Sequence, residues 1–412
     1  MIEPTEPAIV VDDIPAARRS LRIAFITETY PPEVNGVAAT IARVIEGLRE
    51  RNHEVQLIRP RQHHADDGVA GVRFHEVLMR GMPIPRYPNL KMGLPSKRAL
   101  VQLWTARRPD LVHIATEGPL GWSALQAAHR LKLAVSSDFR TNFHAYSRHY
   151  GIGWLHKPIM AYLRKFHNLA HCTMVPTEGL KRSLIEYGFR NVIVLARGVD
   201  TRLFDPARRS EELRRSWGVA PEALVALHVG RLAQEKNLGA LVGAYRVMRR
   251  ENPQAKLVLV GEGPARKWLQ AECPEAYFAG MRTGEDLAAH YASGDLFVFP
   301  STTETFGNVT PEAMASGVPV LAYDYAAAGT LIRSGVNGVL ARFDDSRDFI
   351  EHAARLARQS AQLRDMGRRA RETACTMGWD RIVEQIESVF IATMNDGPLA
   401  RRLALPAQLP AR

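Results

Sequence analysis

Short apolar runs alternate with amphipathic stretches along most of the chain. Apolar runs of about four to eight residues predict buried strands, and apolar residues repeated every three or four positions predict helices. The predicted strands are residues 22–27, 53–58, 110–115, 134–138, 171–176, 191–195, 224–230, 256–261, 296–300 and 318–322. The predicted helices are residues 37–51, 237–251, 346–359, 361–375 and 379–394. This alternation predicts an α/β fold with parallel sheets.

The alternation falls into two blocks, which suggests two domains. The first block covers residues 21–200 and the second covers residues 221–378, with a charged segment predicted as a linker at 201–220. Residues 1–20 are acidic and contain prolines, and residues 395–412 are rich in Pro, Ala and Arg, so we expect two disordered tails. With 412 residues, the chain can build a core in each domain. We therefore expect two Rossmann-like, doubly wound domains.

The stretch STTETFGNVTPEAMASGVPVLAYD carries the clearest chemical signal. Glu304 lies in the loop after a predicted strand, and Glu312 lies in the first turn of the helix that follows. Thr310 is predicted as the N-cap of that helix, Pro311 as its first residue, and Gly317 as the residue just past its end. Both acids should then lie at the carboxyl edge of a parallel sheet, where open α/β sheets bind ligands.

Two carboxylates beside a helix N-terminus suit a ligand that carries both hydroxyls and phosphates. Carboxylates accept hydrogen bonds from hydroxyls, and the free N–H groups of a helix start bind phosphate. A nucleotide sugar has a diphosphate between two polyols and meets both requirements. The alternative is that Glu312 only complements the helix dipole while Glu304 is a solvated loop acid.

Two further loops suggest contacts with a diphosphate. In GRLAQEKN, Arg231 and Lys236 lie across a turn, with Asn237 predicted as a helix N-cap, and two cations there could hold a diphosphate without a metal ion. Gly36, just before the first helix, could let the backbone approach the same group, or could simply turn the chain. The chain contains no G-x-G-x-x-G, which counts against a dinucleotide site, and no D-x-D, so no metal is indicated.

The net charge of +11 is concentrated in the first half of the chain. Up to Asp200 there are 27 basic and 18 acidic residues, and seven basic residues lie between Glu76 and Asp110 with no acid among them. The basic stretch 80–108 and a second one at 148–182 also contain apolar residues, which suits a protein that rests on an anionic membrane. The alternative is a solvated basic surface. Nucleic acid is disfavoured because aromatic residues are sparse there and no binding motif occurs.

Composition and the absence of targeting patterns in the sequence predict where in the cell the protein is found. The chain is 46% hydrophobic and 24% charged, has no apolar run long enough to span a membrane, and has no signal-peptide pattern. Its three cysteines are far apart and lack metal-like spacing. We expect a cytoplasmic protein, with peripheral attachment to the inner face of the cell membrane as a further possibility.

The segment ETFGNVTPEAMASGVPV resembles the E-x7-E signature of retaining glycosyltransferases of the large family numbered four, which have the two-domain GT-B fold. GR-x4-K, formed here by Gly230, Arg231 and Lys236, is a second pattern of that family. The resemblance covers roughly residues 22–394 and is more specific in the second domain. It implies that the last helix crosses back onto the first domain.

The resemblance also implies roles for individual residues. Glu304 would hold hydroxyls of the donor sugar together with backbone N–H groups of Phe306 to Asn308, and Glu312 would hold the ribose hydroxyls. The residues expected to act in catalysis are Arg231, Lys236, Glu304 and His144. The residues expected to bind the donor are Gly36, Arg140, Gly230, Gly261, Phe306, Gly307, Asn308, Val309 and Glu312.

One position departs from the family pattern. The family carries a His before Thr near the donor sugar, whereas this chain has Arg140 there and His144 four residues later. Either His144 takes the role of that His, or Arg140 contacts a charged sugar or a phosphate. A purely structural His144 is equally compatible with the sequence.

The resemblance predicts a metal-independent hexosyltransferase that needs no cofactor besides its nucleotide-sugar donor, either GDP-mannose or a UDP-hexose. The opening TETYPPEVNGVA and the basic first domain are similar to bacterial transferases that glycosylate diacylglycerol-type lipids, so the expected acceptor is a membrane glycolipid or lipid-linked sugar. The alternatives are a soluble or polysaccharide acceptor, a non-catalytic basic binding protein on the same fold, and a nucleotide-sugar epimerase.

Overall fold

The computed structural model describes residues 20–33, 35–63, 66–84, 87–140 and 156–395. Within these ranges, the first half contains ten strands: β1 (Arg22–Ile26), β2 (Glu54–Pro60), β3 (Ala70–Gly71), β4 (Phe74–Met79), β5 (Gly81–Ile84), β6 (Tyr87–Gly93), β7 (Leu111–Ile114), β8 (Ala134–Asp138), β9 (Cys172–Val175) and β10 (Val192–Val194). Eight of them form one sheet in the order β10-β9-β8-β7-β1-β2-β4-β3, and β5 and β6 form a separate hairpin. All pairs in the eight-stranded sheet are parallel except β3 with β4.

Helices lie in most connections between these parallel strands, as is usual for crossovers, whereas β2 and β4 are joined through β3. The helices of the first half are α1 (Gly36–Glu50), α2 (Lys97–Ala106), α3 (Pro119–Arg130), α4 (His156–Asn168) and α5 (Glu178–Glu186). The start of α1 is fixed by Asn35, whose side-chain oxygen accepts hydrogen bonds from the N–H groups of Val37 and Ala38.

The second half repeats the arrangement with one fully parallel sheet. Its strands are β11 (Val225–Val229), β12 (Lys256–Val260), β13 (Tyr277–Gly280), β14 (Leu296–Phe299), β15 (Val320–Tyr323) and β16 (Gly338–Ala341). They pair in the order β13-β12-β11-β14-β15-β16. The helices are α6 (Glu211–Ser216), α7 (Leu238–Glu251), α8 (Arg266–Glu272), α9 (Gly284–Ala292), α10 (Val309–Ala315), α11 (Ala326–Leu331), α12 (Ser346–Arg358) and α13 (Leu363–Cys375).

The strand order places the functional loops. In the second sheet the chain proceeds outward from β11 through β12 to β13, then returns to the other side of β11 with β14. The loops after β11 and β14 therefore leave in opposite directions and open a crevice at their carboxyl ends. These are the two loops that carry the predicted cations and Glu304.

The final helix, α14 (Trp379–Asn395), packs on the first sheet although it follows the second in sequence. Its buried face includes Val383, Ile386 and Phe390, which lie in one apolar cluster with Phe25 of β1. Gly47 of α1 meets this helix so closely that an added Cβ would lie 2.6 Å from a methyl group of Val383. The chain thus passes between the domains twice.

The segment predicted as a linker, residues 201–220, is packed against the second sheet. Phe204 and Trp217 are buried in its apolar core. Arg214 is also buried and forms an ion pair with Asp295 at 3.0 Å, with further hydrogen bonds to backbone carbonyls.

The helix that carries Glu312 begins earlier than its sequence predicts. Thr310 was expected as the N-cap, but α10 starts at Val309 and Asn308 occupies the N-cap position. The cause is Gly307, whose φ of +89° turns the chain and whose carbonyl accepts the N–H of Thr310 at 3.0 Å. The prediction for Gly317 is confirmed, since it follows the helix with a φ of +72°.

Asn237 occupies the predicted N-cap position of α7 but does not cap through its side chain. Its φ is +52°, and its amide instead donates a hydrogen bond to the Tyr323 hydroxyl at 3.3 Å. In the part of the chain described here, no helix is both long and apolar enough to cross a membrane.

Candidate functional site

Lys236 and Glu304 meet at the crevice between β11 and β14. The Lys236 ammonium donates to Oε1 of Glu304, and the Ser301 hydroxyl donates to the same oxygen at 2.6 Å. The two charged side chains are only 14% and 15% exposed. Burial alone would raise the pKa of Glu304, but the charge of Lys236 and these hydrogen bonds outweigh it and lower the pKa. The structure therefore brings together two residues predicted from separate motifs.

Glu312 has the opposite environment. It lies in the first turn of α10, where Tyr291 donates a hydrogen bond to its Oε2 at 2.9 Å. No cation contributes to the shift of its pKa, and burial raises that pKa to about 7. The pKa of Glu312 therefore lies near neutrality, whereas that of Glu304 lies below its ordinary value.

Arg231 lies at the mouth of the same crevice. Its side chain is 46% exposed and pairs at 3.5 Å with Glu235, which is buried beneath the loop. The short turn Gln234–Lys236 carries Lys236 inward, while Thr303 ties the two loops together by donating to the Glu235 carbonyl at 3.0 Å. The loop thus presents one cation outside and one inside.

Gly230 and Gly261 pack their backbones directly against each other. An added Cβ on Gly261 would lie 2.0 Å from the Gly230 carbonyl oxygen, so no other residue fits there without moving the loop. Gly261 also has a φ of +132°. These two glycines shape the floor of the crevice.

The turn from Phe306 to Asn308 faces the first domain. Phe306 is buried, and its carbonyl accepts the N–H of Ala327 at 2.8 Å, which fixes the turn. The position of an added Cβ on Gly36 lies 3.4 Å from Nδ2 of Asn308. Val309, the next predicted donor-binding residue, begins α10. The first-domain glycine loop and the second-domain turn therefore lie directly opposite each other.

Arg140, the residue predicted to stand at the position of the family's histidine, is anchored in the first domain. Its Nε donates to Oδ2 of Asp138 at 2.6 Å, and the His113 ring also contacts that oxygen at 3.2 Å. Burial would raise the pKa of Asp138, but its attraction to Arg140 and the bond to His113 outweigh this and lower the pKa. His144 lies outside the described residues, so its predicted role stays a prediction.

Sequence reasoning missed several residues of this site. Arg197 lies three positions after β10 and reaches Asn308 across the cleft, with Nη1 donating to Oδ1 at 3.3 Å. His228, buried within β11, donates from Nδ1 to the Val298 carbonyl at 3.0 Å and lies near Lys236. For Arg197, a basic residue just after an apolar strand was a usable signal, because that position is a carboxyl edge. For His228 and Tyr291, nothing in the local pattern marks a site.

Comparisons with known proteins identify the family of this chain. The family model described as "Glycosyl transferases group 1" matches residues 223–359, and that described as "Glycosyltransferase Family 4" matches residues 34–203. A GDP-mannose-dependent alpha-mannosyltransferase of Mycobacterium tuberculosis is 37% identical over 324 residues, covering 78% of this chain and 83% of that protein. The chain belongs to glycosyltransferase family 4. The predicted family and glycosyltransferase class are confirmed.

A second relative and a solved structure extend the comparison. An alpha-monoglucosyldiacylglycerol synthase of Streptococcus pneumoniae is 26% identical, covering 78% of this chain and 75% of that protein. Sucrose-phosphate synthase from Thermosynechococcus elongatus superposes with a TM-score of 0.73 at 18% identity, covering 90% of this chain and 98% of that one. At this identity the structural likeness bears on the fold alone, and it confirms the predicted GT-B architecture.

Proposed function

We propose that this protein transfers a hexose, with retention of configuration, from a nucleotide sugar to a hydroxyl of a membrane glycolipid or lipid-linked sugar. GDP-mannose is the leading donor, which the mannosyltransferase relative supports, and a UDP-hexose is the alternative. The observation that carries the proposal is the Lys236–Glu304 pair, held at the switch point of the second sheet. Both a diphosphate and a sugar would meet their complementary groups there.

The proposed chemistry rests on positioning and charge. Arg231 and Lys236 would stabilise the negative charge that develops on the departing diphosphate, and Glu304 would hold sugar hydroxyls so that the anomeric carbon faces the acceptor. The acceptor hydroxyl would then attack from the face that the diphosphate leaves. Because Lys236 is bonded to Glu304 before the donor enters, the diphosphate has to compete with that carboxylate for the ammonium group.

We further propose that the transfer needs no metal ion. Two cationic side chains already face the position proposed for the diphosphate, and they can supply the charge that a divalent cation supplies elsewhere. Activity that is unchanged after exhaustive treatment with EDTA is the expected result. Loss of activity that is restored by Mg²⁺ or Mn²⁺ would contradict this part of the proposal.

A lipid acceptor is supported by the surface of the first domain and by the name of the diacylglycerol synthase relative. Arg80, Lys97 and Arg98 are exposed near the β5–β6 hairpin, where Met82 is 42% exposed. Helix α4 adds exposed Lys157, Arg164 and Lys165 beside Tyr162, which is 39% exposed. Basic groups interspersed with apolar ones are suited to the interface of an anionic bilayer.

The experiment that tests the donor assignment is a melting-temperature screen with GDP, UDP, ADP and their hexose conjugates. A nucleotide that binds the folded state raises the melting temperature by mass action. The nucleotide that stabilises the protein should then support transfer of its sugar to a short-chain diacylglycerol or glycolipid acceptor. Stabilisation by none of them, together with no transfer, would refute the proposal.

A further inference from the structure

Arg197 joins the two sides of the cleft. It follows β10, the last strand of the first sheet along the chain, yet its guanidinium contacts the turn from Phe306 to Asn308 in the second domain. Nη1 donates to Asn308 Oδ1 at 3.3 Å, and the guanidinium carbon lies 5.7 Å from the centre of the Phe306 ring. The side chain is therefore held in a defined position at the centre of the site.

The other end of this guanidinium is unsatisfied. Among the residues that the structure describes, Nη2 of Arg197 has no hydrogen-bond partner, although it is shielded from solvent. Burial and the nearby charge of Arg140 lower the pKa of Arg197 to about 9, so it is still cationic at neutral pH. A buried N–H donor on a cation without an acceptor is unfavourable and suggests that a ligand completes it.

The neighbouring carboxylates are already engaged. Asp138 accepts from Arg140 and contacts His113, and Glu304 accepts from Lys236 and Ser301. The charges of both acids attract Arg197, but among the residues that the structure describes neither acid accepts a hydrogen bond from it. Three cations thus face two carboxylates that are ionised, which leaves one positive charge in excess, on the first-domain side of the cleft.

We propose that Arg197 binds an anionic oxygen group carried by a substrate of the transfer reaction, in addition to the diphosphate of the donor nucleotide. The group is a carboxylate, sulfonate or phosphate, which the planar guanidinium can bind through two parallel hydrogen bonds. It comes either from the acceptor, as a phosphodiester next to the reacting hydroxyl, or from the transferred hexose, as an acidic substituent. Arg197 is then a specificity-determining residue. The inference rests on the proposed function and deepens it.

The test compares neutral and charged substrates in matched pairs. The acceptor pair is dihexanoylglycerol and dihexanoyl-phosphatidylglycerol, both with a free hydroxyl and both used below their micelle concentrations. The donor pair is the hexose conjugate of the nucleotide found by the melting screen and the corresponding uronic acid conjugate. The variants are Arg197→Gln, which keeps a donor for Asn308 but removes the charge, and Arg197→Lys. Arg347→Gln is the control, since that side chain is 89% exposed.

We expect the wild-type protein to prefer the charged member of one pair. A preference in the acceptor pair would show that the acceptor carries the anionic group, and a preference in the donor pair would show that the transferred hexose carries it. Arg197→Gln should lower kcat/KM for that substrate by about ten- to a hundredfold, as loss of a hydrogen-bonded charge does, and by less than about threefold for its neutral partner. For the charged substrate, kcat/KM of Arg197→Lys should lie between the values of the wild type and Arg197→Gln. Arg347→Gln should have the same kcat/KM as the wild type. The melting temperature of Arg197→Gln should equal or exceed that of the wild type, because a surplus buried charge is removed.

Three results would overturn the inference. Equal losses on the neutral and charged substrates would make Arg197 a support for the Asn308 turn. If the wild type binds a nucleotide and transfers its sugar but shows no charge preference in either pair, Arg197 does not bind an anionic group of a substrate. The proposed function would then remain intact. A clearly lower melting temperature of Arg197→Gln than of Arg347→Gln would mean that the fold itself satisfies Arg197. Failure of both nucleotide binding and transfer in the wild type would instead refute the proposed function.

Discussion

Glu304 and Glu312 carry the same side chain, but the structure makes them chemically different. One oxygen of Glu304 accepts from the Lys236 ammonium and the Ser301 hydroxyl, whereas Glu312 accepts from the Tyr291 phenol and, among the residues that the structure describes, forms no ion pair. The pKa of Glu304 is lowered and that of Glu312 is raised to about 7. A carboxylate whose pKa is lowered is ionised at neutral pH and suits the proposed contact with sugar hydroxyls, and one that ionises near neutrality suits a binding step linked to pH.

Replacing either Lys236 or Glu304 should abolish transfer while the protein stays folded. Lys236→Ala removes the inner cation proposed for the diphosphate, and Glu304→Ala removes the acceptor proposed for sugar hydroxyls. Each should lower kcat by about a hundredfold or more, as loss of one transition-state contact does. Steady-state transfer assays and far-UV circular dichroism measure the two effects. Near-normal transfer by a folded variant would remove that residue from its assigned role.

The binding of the nucleotide sugar should strengthen as pH rises through about 7. On the predicted role of Glu312, the ribose hydroxyls donate to its ionised form, and the ionised fraction of a group with a pKa of about 7 rises about tenfold from pH 6 to pH 8. Titration calorimetry with the intact nucleotide sugar, whose diphosphate does not titrate in this range, should show about a tenfold gain in affinity. Glu312→Gln should bind with the same affinity at both pH values. A flat wild-type profile would contradict the role of Glu312.

The raised pKa of Glu312 also determines how the stability of the folded protein changes with pH. Glu312 is easier to bury when protonated, so its contribution to stability is present below its ordinary pKa of 4.5 and is lost as the pH rises through about 7. The melting temperature of Glu312→Gln relative to the wild type should therefore be higher at pH 8 than at pH 5.

At the scale of elements, α14 supports one wall of the site through its packing on the first domain. Phe390 of this helix is fully buried and its ring lies 5.1 Å from that of His113. His113 in turn contacts the Asp138 carboxylate that anchors Arg140. The last helix of the chain therefore holds one wall of the cleft in place.

Phe390→Ala should destabilise the first domain by about 3–5 kcal/mol, because it removes a large side chain and leaves a cavity. Urea unfolding followed by fluorescence measures the change, and Met281→Ala, at a side chain that is 62% exposed, is the control with an expected change below about 0.5 kcal/mol. A loss below about 1 kcal/mol for Phe390→Ala would mean that α14 is not a structural part of this domain.

At the scale of the whole molecule, the charge asymmetry separates the two domains. The net charge is +9 up to Asp200 and +2 beyond it. Exposed basic residues near the β5–β6 hairpin and on α4 belong to the first domain, and the loops after β11 and β14, proposed to bind the donor, belong to the second. We propose that this arrangement lets the first domain rest on an anionic surface while the second remains accessible to the nucleotide sugar.

Reversing two exposed charges of the first domain should weaken binding to anionic vesicles. Lys97→Glu with Arg98→Glu should lower the partition coefficient by tenfold or more, at roughly 1 kcal/mol per basic residue near the surface. Sedimentation with vesicles of phosphatidylglycerol and phosphatidylcholine at low and high salt measures it. Arg347→Glu with Arg364→Glu, both 89% exposed on the second domain, is the matched control. The membrane proposal would be wrong if both double variants lowered the partition coefficient equally. It would also be wrong if binding of the wild type did not depend on the fraction of anionic lipid.

The sequence by itself determined the alternation of strands and helices and the two-block organisation, and it marked Arg231, Lys236, Glu304 and Glu312 as candidate site residues. These features are local: a buried parallel strand is a continuous apolar run, and the E-x7-E and GR-x4-K patterns each lie within one loop and the start of one helix. The start of α10 was misplaced by local reasoning, because the left-handed turn at Gly307 lets the helix begin before Thr310.

Only the tertiary structure decided which residues face each other. The Lys236–Glu304 pair, the approach of Gly36 to Asn308 and the reach of Arg197 across the cleft each join segments far apart in sequence. The opposite pKa shifts of Glu304 and Glu312 also depend on burial and on partners from other loops. A sequence pattern records the spacing of residues along the chain, whereas these properties depend on distances that are set when two sheets and the final helix pack together.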